Sequence, residues 1–235
     1  MDERLYLTDP YLKEFEATVV KTEERYVVLD QTAFYPSSGG QPFDTGRLVR
    51  QSDKKEFPVV FVGVFDGQIS HEVGVDRLKA GDKIRGTIDW DRRYRLMRMH
   101  TAAHIILKYF FDRFNALVTG NQLDVDTSRM DFSMETFDVS RLKEYEKDIN
   151  AIIQKGLPVS FRFVSSEEAR QDTELFKLAK GHAEREVMRI VYVGDYDRQA
   201  DGGCHVRNTK EIGTVLFVDF VNKGKNNRRV YYTIG

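Results

Sequence analysis

The sequence predicts an α+β protein in which a small N-terminal antiparallel β-barrel precedes an α+β domain. Residues 15–88 hold several short runs of β-branched and aromatic residues, which turn signals separate. The strand-like pattern ends at Asp89-Trp90-Asp91, and the following residues 92–115 contain neither glycine nor proline. Strand-like runs return towards the C-terminus, after helical segments. We therefore predict two domains, residues 1–88 and residues 89–235.

The first domain is predicted to consist of β-strands. Its runs concentrate valine, isoleucine, phenylalanine and tyrosine, which are enriched in strands. Turn formers such as Ser37-Ser38-Gly39-Gly40 and Asp66-Gly67 stand between them. The runs are, in chain order, FEATVV, RYVVLD, FPVVFVGVF, GQISHEV and DKIRGTI. So many short strands in so short a stretch are typical of a small antiparallel barrel.

The second domain is predicted to begin with a long helix from residue 92 to residue 115. A second helix follows the N-cap signal at Asp138-Val139-Ser140, and Gly156 and Pro158 end it. A third helix is expected from Ser165 to about Lys180. The remaining runs, which predict strands, are VMRIVYVGDY, TVLFVDFV and RRVYYTI. Helices and strands in separate blocks indicate the α+β class.

The composition excludes several classes of protein. The 36 Lys and Arg residues almost balance the 37 Asp and Glu residues, for a net charge of -1, which argues against a protein that coats nucleic acid. Cys204 is the single cysteine, so no internal disulfide can form. The polar N-terminus is unlike a signal peptide, and no apolar run approaches the ~20 residues of a membrane span. We expect a cytoplasmic protein without a membrane partner, either a monomer or a homodimer.

Two histidines in the long helix form the strongest chemical signal. His100 and His104 are four residues apart, so both rings leave the helix on one face, together with apolar Leu96 and Leu107. Either the rings are core histidines with hydrogen-bond partners, or they share a metal ion. Thr101 follows His100 where the metalloprotease motif HExxH has glutamate, so that motif is excluded.

A second cluster of metal-ligating residue types lies in the segment Asp201-Gly-Gly-Cys204-His205. Its glycines allow a tight turn that lets Asp201 and His205 converge, although a plain polar turn is the simpler interpretation. With the helix pair, the segment predicts one Zn²⁺ per chain, held by His100, His104 and His205. Asp201 is the candidate for the fourth ligand and Cys204 the alternative. Three protein ligands with an open position are typical of catalytic zinc sites.

A glycine-rich segment runs from Thr32 to Gly46 in the first domain. It is either a tight loop between strands or a wall that a substrate can approach closely. In the second case Gly39 and Gly40 give access to the backbone, and Thr32 and Gln41 are candidate hydrogen-bond partners of the substrate.

Three segments together resemble the editing region of alanyl-tRNA synthetase. The glycine-rich segment matches TxFYPxSGGQxxDxG, the helix IDWDRRYRLMRMHTAAHIILKYFF resembles the one with the family's HxxxH motif, and DGGCHVRNTKEIG resembles its CGGTH-type motif. A chain of 235 residues has no room for the synthetase's other domains, so it is identified as a member of the free-standing alanyl-tRNA editing proteins, the AlaX family, in the form with an N-terminal barrel.

The resemblance implies a zinc-dependent hydrolase that deacylates mischarged tRNA(Ala) in trans, chiefly Ser-tRNA(Ala), with Gly-tRNA(Ala) as a second candidate. It implies a second domain like that of threonyl-tRNA synthetase editing, and it places Asp131 near the pocket. One departure concerns the metal: Asp201 occupies the position of the family's CxxxH cysteine. The fourth ligand is thus Asp201, Cys204 or water.

A tRNA partner calls for local positive charge, and two basic clusters are candidates for phosphate contacts. The alternative for both clusters is ordinary solvated charge. They comprise Arg92 and Arg93 at the start of the long helix, and Lys223, Lys225, Arg228 and Arg229 before the last strand.

Two other functions would use the same metal ligands. One is a zinc hydrolase of another small ester or amide, and the other is a non-enzymatic RNA-binding zinc module.

Overall fold

The computed structural model describes residues 3–74, 78–172, 175 and 186–235. Its strands and helices confirm the mixed α+β class. The chain divides into two compact units, Met1–Leu96 and Met97–Gly235. The expected boundary at residue 89 is therefore earlier than the observed one. The difference arises because the first turns of the long helix belong to the first unit, where Arg93 is bound by Asp44.

The first unit is built from antiparallel strands that close on themselves. The strands are β1 Glu3–Arg4, β2 Glu14–Glu23, β3 Tyr26–Leu29, β4 Gln31–Thr32, β5 Gly46–Arg50, β6 Glu56–Phe65, β7 Gln68–Val73 and β8 Lys83–Ile88. Within the described residues, the barrel order is β2-β3-β7-β6-β5-β8, and β8 pairs back onto β2. Alternating residues of these strands are buried, as in β8, where Ile84, Gly86 and Ile88 are buried and Lys83 and Arg85 are exposed. Strands β1 and β4 form a separate parallel pair.

The second unit contains two antiparallel sheets and most of the long helix. The helices are α1 Trp90–Phe114, α2 Leu142–Gln154 and α3 Ser166–Arg170. The strands are β9 Val118–Gln122, β10 Ser128–Phe132, β11 Val159–Ser165, β12 Val187–Val193, β13 Asp197–Ala200, β14 Val215–Asn222 and β15 Arg228–Ile234. Within the described residues, one sheet has the order β14-β15-β10-β9, and the other has the order β11-β12-β13.

Helix α2 shows how apolar spacing positions an element. Tyr145, Ile149 and Ile153 repeat every four residues, and all three are buried. Asn150 fixes the helix to strand β14, because its side chain accepts from the backbone N–H of Val215 and donates to the carbonyl of the same residue, both at 2.8 Å. The helix therefore covers the edge of the four-stranded sheet.

The two predicted N-cap residues cap helical segments in the structure, but helix α3 is shorter than predicted. The side chain of Asp138 accepts from the backbone N–H of Ser140 in a short turn before α2, and Ser165 caps α3 through the N–H of Glu168. Helix α3 ends at Arg170, earlier than predicted, and most of the remaining span to residue 180 lies outside the described residues. In the described part of the chain, no helix is long and apolar enough to cross a membrane.

Candidate metal centre

Helix α1 places two imidazoles side by side in a buried environment. The side chains of His100 and His104 are each 5% exposed, and their ring centroids are 5.4 Å apart. Leu96 and Leu107 on the same helix face are buried as well, as the four-residue spacing predicts. The two rings thus lie together where water cannot satisfy their nitrogen atoms.

The segment after strand β13 delivers the other donors. The backbone N–H of Asp201 donates to the carbonyl of Arg189 at 2.9 Å. The buried Arg189 guanidinium donates in return to the carbonyls of Asp201 (3.2 Å) and Gly203 (2.9 Å). These bonds hold the turn that leads to His205.

Gly203 allows this turn to lie against the histidine helix. A Cβ atom at this position would lie 2.2 Å from Cε1 and 2.4 Å from Nδ1 of the His100 ring. Both distances are far below van der Waals contact, so a side chain cannot be accommodated without moving His100. The contact explains one glycine of the DGGCH segment, whereas a Cβ at Gly202 would meet nothing within 4 Å.

The structure brings four candidate ligands to one point: one donor atom from each of His100, His104, Asp201 and His205, all within 4.8 Å of one another. Oδ2 of Asp201 lies 3.4 Å from Nε2 of His100 and 3.9 Å from Nε2 of His104. Oδ1 of Asp201 lies 3.1 Å from Nε2 of His205. Three imidazole nitrogens and a carboxylate oxygen are a donor set that zinc accepts. The arrangement could therefore hold a metal ion.

The fourth ligand was left as Asp201, Cys204 or water, and of the two side chains only Asp201 lies in the four-residue group. Cys204 is buried, but its sulfur is not part of the four-residue group. Cys204 and His205 are adjacent in a chain segment without helix, where successive side chains point in different directions.

The electrostatics of the centre favour an ionised Asp201 and a neutral His205. Burial opposes ionisation of Asp201, but the electrostatic influence of His100 and the contacts with the three imidazoles outweigh it and hold the pKa of Asp201 well below its usual value. Burial, reinforced by the neighbouring His100, holds the pKa of His205 well below its usual value. At these two positions the centre offers an ionised carboxylate and a neutral imidazole, the protonation states that ligate metals.

A buried partner of His104 escaped the sequence analysis. Oδ2 of Asp197 lies 3.2 Å from Nδ1 of His104 and accepts a 2.7 Å hydrogen bond from the Gln199 amide. Burial alone would lower the pKa of His104, but hydrogen bonds to Asp197 and Asp201 raise it to about 9. Asp197 and Gln199 are two residues apart in strand β13, so they share one face of the strand. The two-residue spacing of Asp197 and Gln199 is the feature of the sequence that could have indicated this pair.

The glycine-rich segment has a local structure of its own in the first unit. Gly39 and Gly40 have φ angles of 59° and 87°, and they form a tight turn in which the backbone N–H of Gln41 donates to the Ser38 carbonyl. Positive φ at two successive positions requires residues such as glycine, so the turn accounts for both glycines. The Gln41 side chain is buried.

Thr32 is fully buried, and its hydroxyl lies 2.8 Å from Nε2 of His71. The same hydroxyl accepts from the backbone N–H of Phe34 at 3.1 Å. His71 is buried too, with Nδ1 3.0 Å from the carbonyl of Val27. The hydroxyl of Thr32 therefore already has partners within the first unit.

The phosphate contact predicted for Arg93 is wrong. Its side chain is completely buried, and its Nε donates to Asp44 Oδ1 at 2.9 Å. Its remaining donors bind the carbonyls of Pro10 and Ala33. The preceding residue, Arg92, is partly exposed and donates to the carbonyl of Phe43. The prediction failed because Arg93 lies on the buried face of α1. A buried arginine needs a carboxylate partner, and here Asp44 is that partner.

The second basic cluster divides into anchored arginines and exposed lysines. Arg228 is 9% exposed and donates to the Asn222 side chain and to the carbonyls of Gly224, Asn227 and Glu135, which leaves it no role as a free phosphate contact. Arg229 pairs with Asp131, with Nε 2.6 Å from Oδ1. This ion pair accounts for the buried Asp131, which was expected near the pocket. Lys223 and Lys225 are exposed.

Comparison with known proteins connects these features to a family. Residues 188–231 match the model of the threonyl and alanyl tRNA synthetase second additional domain, and residues 7–92 match that of the class II (A) tRNA synthetases. The chain is 51% identical, over its full length, to the alanyl-tRNA editing protein AlaX-M of Methanosarcina barkeri and covers 99% of it.

AlaX-M of Saccharolobus solfataricus is 42% identical over the same extent. The alanine–tRNA ligase of Pyrococcus abyssi is 38% identical over 90% of this chain, but the match covers only 23% of that enzyme. The resemblance drawn from three sequence motifs is thereby confirmed, and the chain belongs to the family of free-standing alanyl-tRNA editing proteins of the AlaX-M type.

Proposed function

We propose that the protein is a trans-editing hydrolase that deacylates mischarged tRNA(Ala), chiefly Ser-tRNA(Ala) and secondarily Gly-tRNA(Ala). The observation that carries the proposal is the convergence of His100, His104, His205 and Asp201 within 4.8 Å, in a chain that aligns end to end with proteins named for alanyl-tRNA editing. The ester linkage of such a substrate needs an activated water and a stabilised oxyanion to be hydrolysed.

The residues of the centre fit a zinc ion. His100, His104 and His205 would hold it through imidazole nitrogens, and Asp201 through a carboxylate oxygen. When bound, zinc supplies a Lewis acid that polarises a carbonyl and acidifies water. The donor set is the ground for choosing zinc, since imidazole with carboxylate suits this ion.

Asp201 is the most exposed of the four candidate ligands. Its side chain is 23% exposed, whereas those of the three histidines are at most 5% exposed. A substrate would therefore approach along Asp201, while the histidines exclude water from the other side. Oδ1 of Asp201 accepts from the backbone N–H of Gly203, which orients the carboxylate before any substrate arrives.

Binding of tRNA is proposed to use exposed lysines in the second unit. Lys223 and Lys225 are exposed, and each phosphate contact would add a salt-sensitive contribution to affinity. The near-zero net charge suits an enzyme that must release deacylated tRNA, because the general electrostatic attraction is weak.

Selection of serine is proposed to involve Thr32 and Gln41. A site that hydrogen-bonds the serine hydroxyl rejects alanine, since the buried polar group would otherwise stay unpaired. Thr32→Val would then reduce the preference for the seryl over the alanyl ester. Unchanged discrimination in that variant would assign Thr32 to the His71 hydrogen bond alone.

The deciding experiment is hydrolysis of Ser-, Gly- and Ala-tRNA(Ala), with and without a chelator, by the purified protein. We expect Ser-tRNA(Ala) to be deacylated fastest, chelation to abolish the activity and added zinc to restore it. His100→Ala should lose both zinc and activity, whereas Asp195→Asn, an exposed position before strand β13, should keep both. Full activity in a variant shown to contain no metal would refute the zinc site.

Two further assays, cleavage of small esters or amides and salt-dependent binding of tRNA, separate the alternative functions. A zinc hydrolase of other small esters or amides would cleave such substrates without salt-sensitive tRNA binding. A non-enzymatic RNA-binding module would bind tRNA and leave the aminoacyl ester intact.

A further inference from the structure

A threonine hydroxyl connects helix α1 to the segment that carries the third histidine. Thr101 lies between His100 and His104 in the sequence and is completely buried. Its Oγ1 lies 2.9 Å from the carbonyl oxygen of Met97, 3.2 Å from the backbone nitrogen of Val206 and 3.3 Å from Nδ1 of His205. A single side-chain oxygen thus has three polar neighbours.

The direction of each hydrogen bond follows from a count of protons. A hydroxyl has one hydrogen to donate and two lone pairs that accept. The Met97 carbonyl can only accept, so the Thr101 hydrogen points towards it. The Val206 N–H can only donate, so it occupies one lone pair. The remaining lone pair faces Nδ1 of His205, and this contact is a hydrogen bond when Nδ1 carries the proton.

The proton on Nδ1 decides what the other ring nitrogen can do. A neutral imidazole carries one proton, so Nδ1–H leaves a lone pair on Nε2. Nε2 is the atom of His205 that lies 3.1 Å from Oδ1 of Asp201, within the four-residue centre. With the opposite tautomer, a proton would occupy the place where the cation must bind.

We propose that Thr101 is a positioning residue that fixes His205 in the tautomer that presents Nε2 to the metal. The proposal rests on the zinc site of the proposed function. Asp197 does the same for His104, since each accepts from the ring nitrogen that faces away from the centre. Outer partners of this kind orient metal-bound histidines and raise metal affinity.

The test compares Thr101→Val with Thr101→Ser in the full-length protein. Valine keeps the shape of threonine but cannot accept a hydrogen bond, whereas serine keeps the hydroxyl. We expect Thr101→Val to bind zinc about 10- to 100-fold more weakly in competition with a chromophoric chelator. Thr101→Ser should bind zinc close to the wild-type affinity. Thermal unfolding of the metal-free proteins measures any purely structural effect separately.

Nitrogen-15 NMR of the metal-free wild-type protein reads the tautomer directly, before zinc can impose it, with the His205 signals assigned by their loss in His205→Gln. Protonated Nδ1 supports the proposal even if Thr101→Val fails to fold. Protonated Nε2, or a Thr101→Val protein with wild-type zinc affinity, overturns it. If the wild-type protein binds no zinc, the proposed metal site itself fails, and this inference fails with it.

Discussion

Oδ2 of Asp197 lies 3.2 Å from Nδ1 of His104, and both side chains are buried. Asp197→Asn keeps the shape of the side chain but removes the negative charge that favours Nδ1–H. We expect zinc affinity to fall by about 10- to 100-fold, the usual effect of losing such an outer partner. Equilibrium competition with a chelator measures the change.

Asp195→Asn is the matched control for Asp197→Asn, because this aspartate is exposed two residues earlier. It should bind zinc as the wild type does. Equal affinity in the Asp197 variant and the control would mean that His104 needs no carboxylate to be oriented.

The fourth ligand can be identified by comparing Asp201 with Cys204. Asp201 contributes a carboxylate oxygen to the centre, whereas the Cys204 sulfur is outside the group. Asp201→Ala should therefore bind zinc at least about 10-fold more weakly, while Cys204→Ala should leave zinc affinity unchanged. Metal content after dialysis and the visible spectrum of the cobalt-substituted proteins report both. A sulfur-to-cobalt charge-transfer band that disappears in Cys204→Ala would reverse the assignment.

Gly203 sets the distance between the turn and the histidine helix. In Gly203→Ala the new Cβ would meet His100 Cε1 at 2.2 Å, so the ring must move. We expect the free energy of unfolding to fall by about 1–3 kcal/mol, as for other overpacked sites, and zinc binding to weaken. Denaturant unfolding and chelator competition measure the two effects.

Gly202→Ala provides the control, since its Cβ would meet nothing within 4 Å. Both substitutions add one methyl group to the same turn. Similar losses in the two variants would show that backbone freedom, rather than contact with His100, is what the turn requires.

Arg93 is expected to act in stability rather than in tRNA binding. Arg93→Met removes one partner of a completely buried ion pair and leaves Asp44 without compensation. Loss of one member of a buried pair costs about 3–5 kcal/mol, so the denaturant midpoint should fall markedly. A variant that unfolds like the wild type but binds tRNA more weakly would restore the original prediction of a phosphate contact.

The sequence was informative wherever local spacing determines the outcome. The four-residue interval of His100 and His104 predicted a shared helix face, and the DGGCH segment predicted the approach of Asp201 and His205. The role of Arg93 could not be predicted, because its carboxylate partner is 49 residues away in the sequence. The role of Asp197 was missed for a similar reason. Its spacing from Gln199 shows that the two side chains share a face of strand β13, but the partner of that face depends on the pairing with β12 and on the approach of α1.

Lys223 and Lys225 provide the test of tRNA binding. Each lysine that contacts a phosphate releases counterions, so each replacement by alanine should lower the slope of log affinity against log salt by roughly 0.7–0.9. Binding of deacylated tRNA(Ala) should weaken at low salt, while hydrolysis at saturating substrate stays unchanged, because neither lysine belongs to the metal centre. Lys147→Ala, at an exposed position on α2, is the matched control. If the slope in Lys223→Ala and Lys225→Ala equals that of the control, the exposed charge of this loop serves solvation and the phosphates are bound elsewhere.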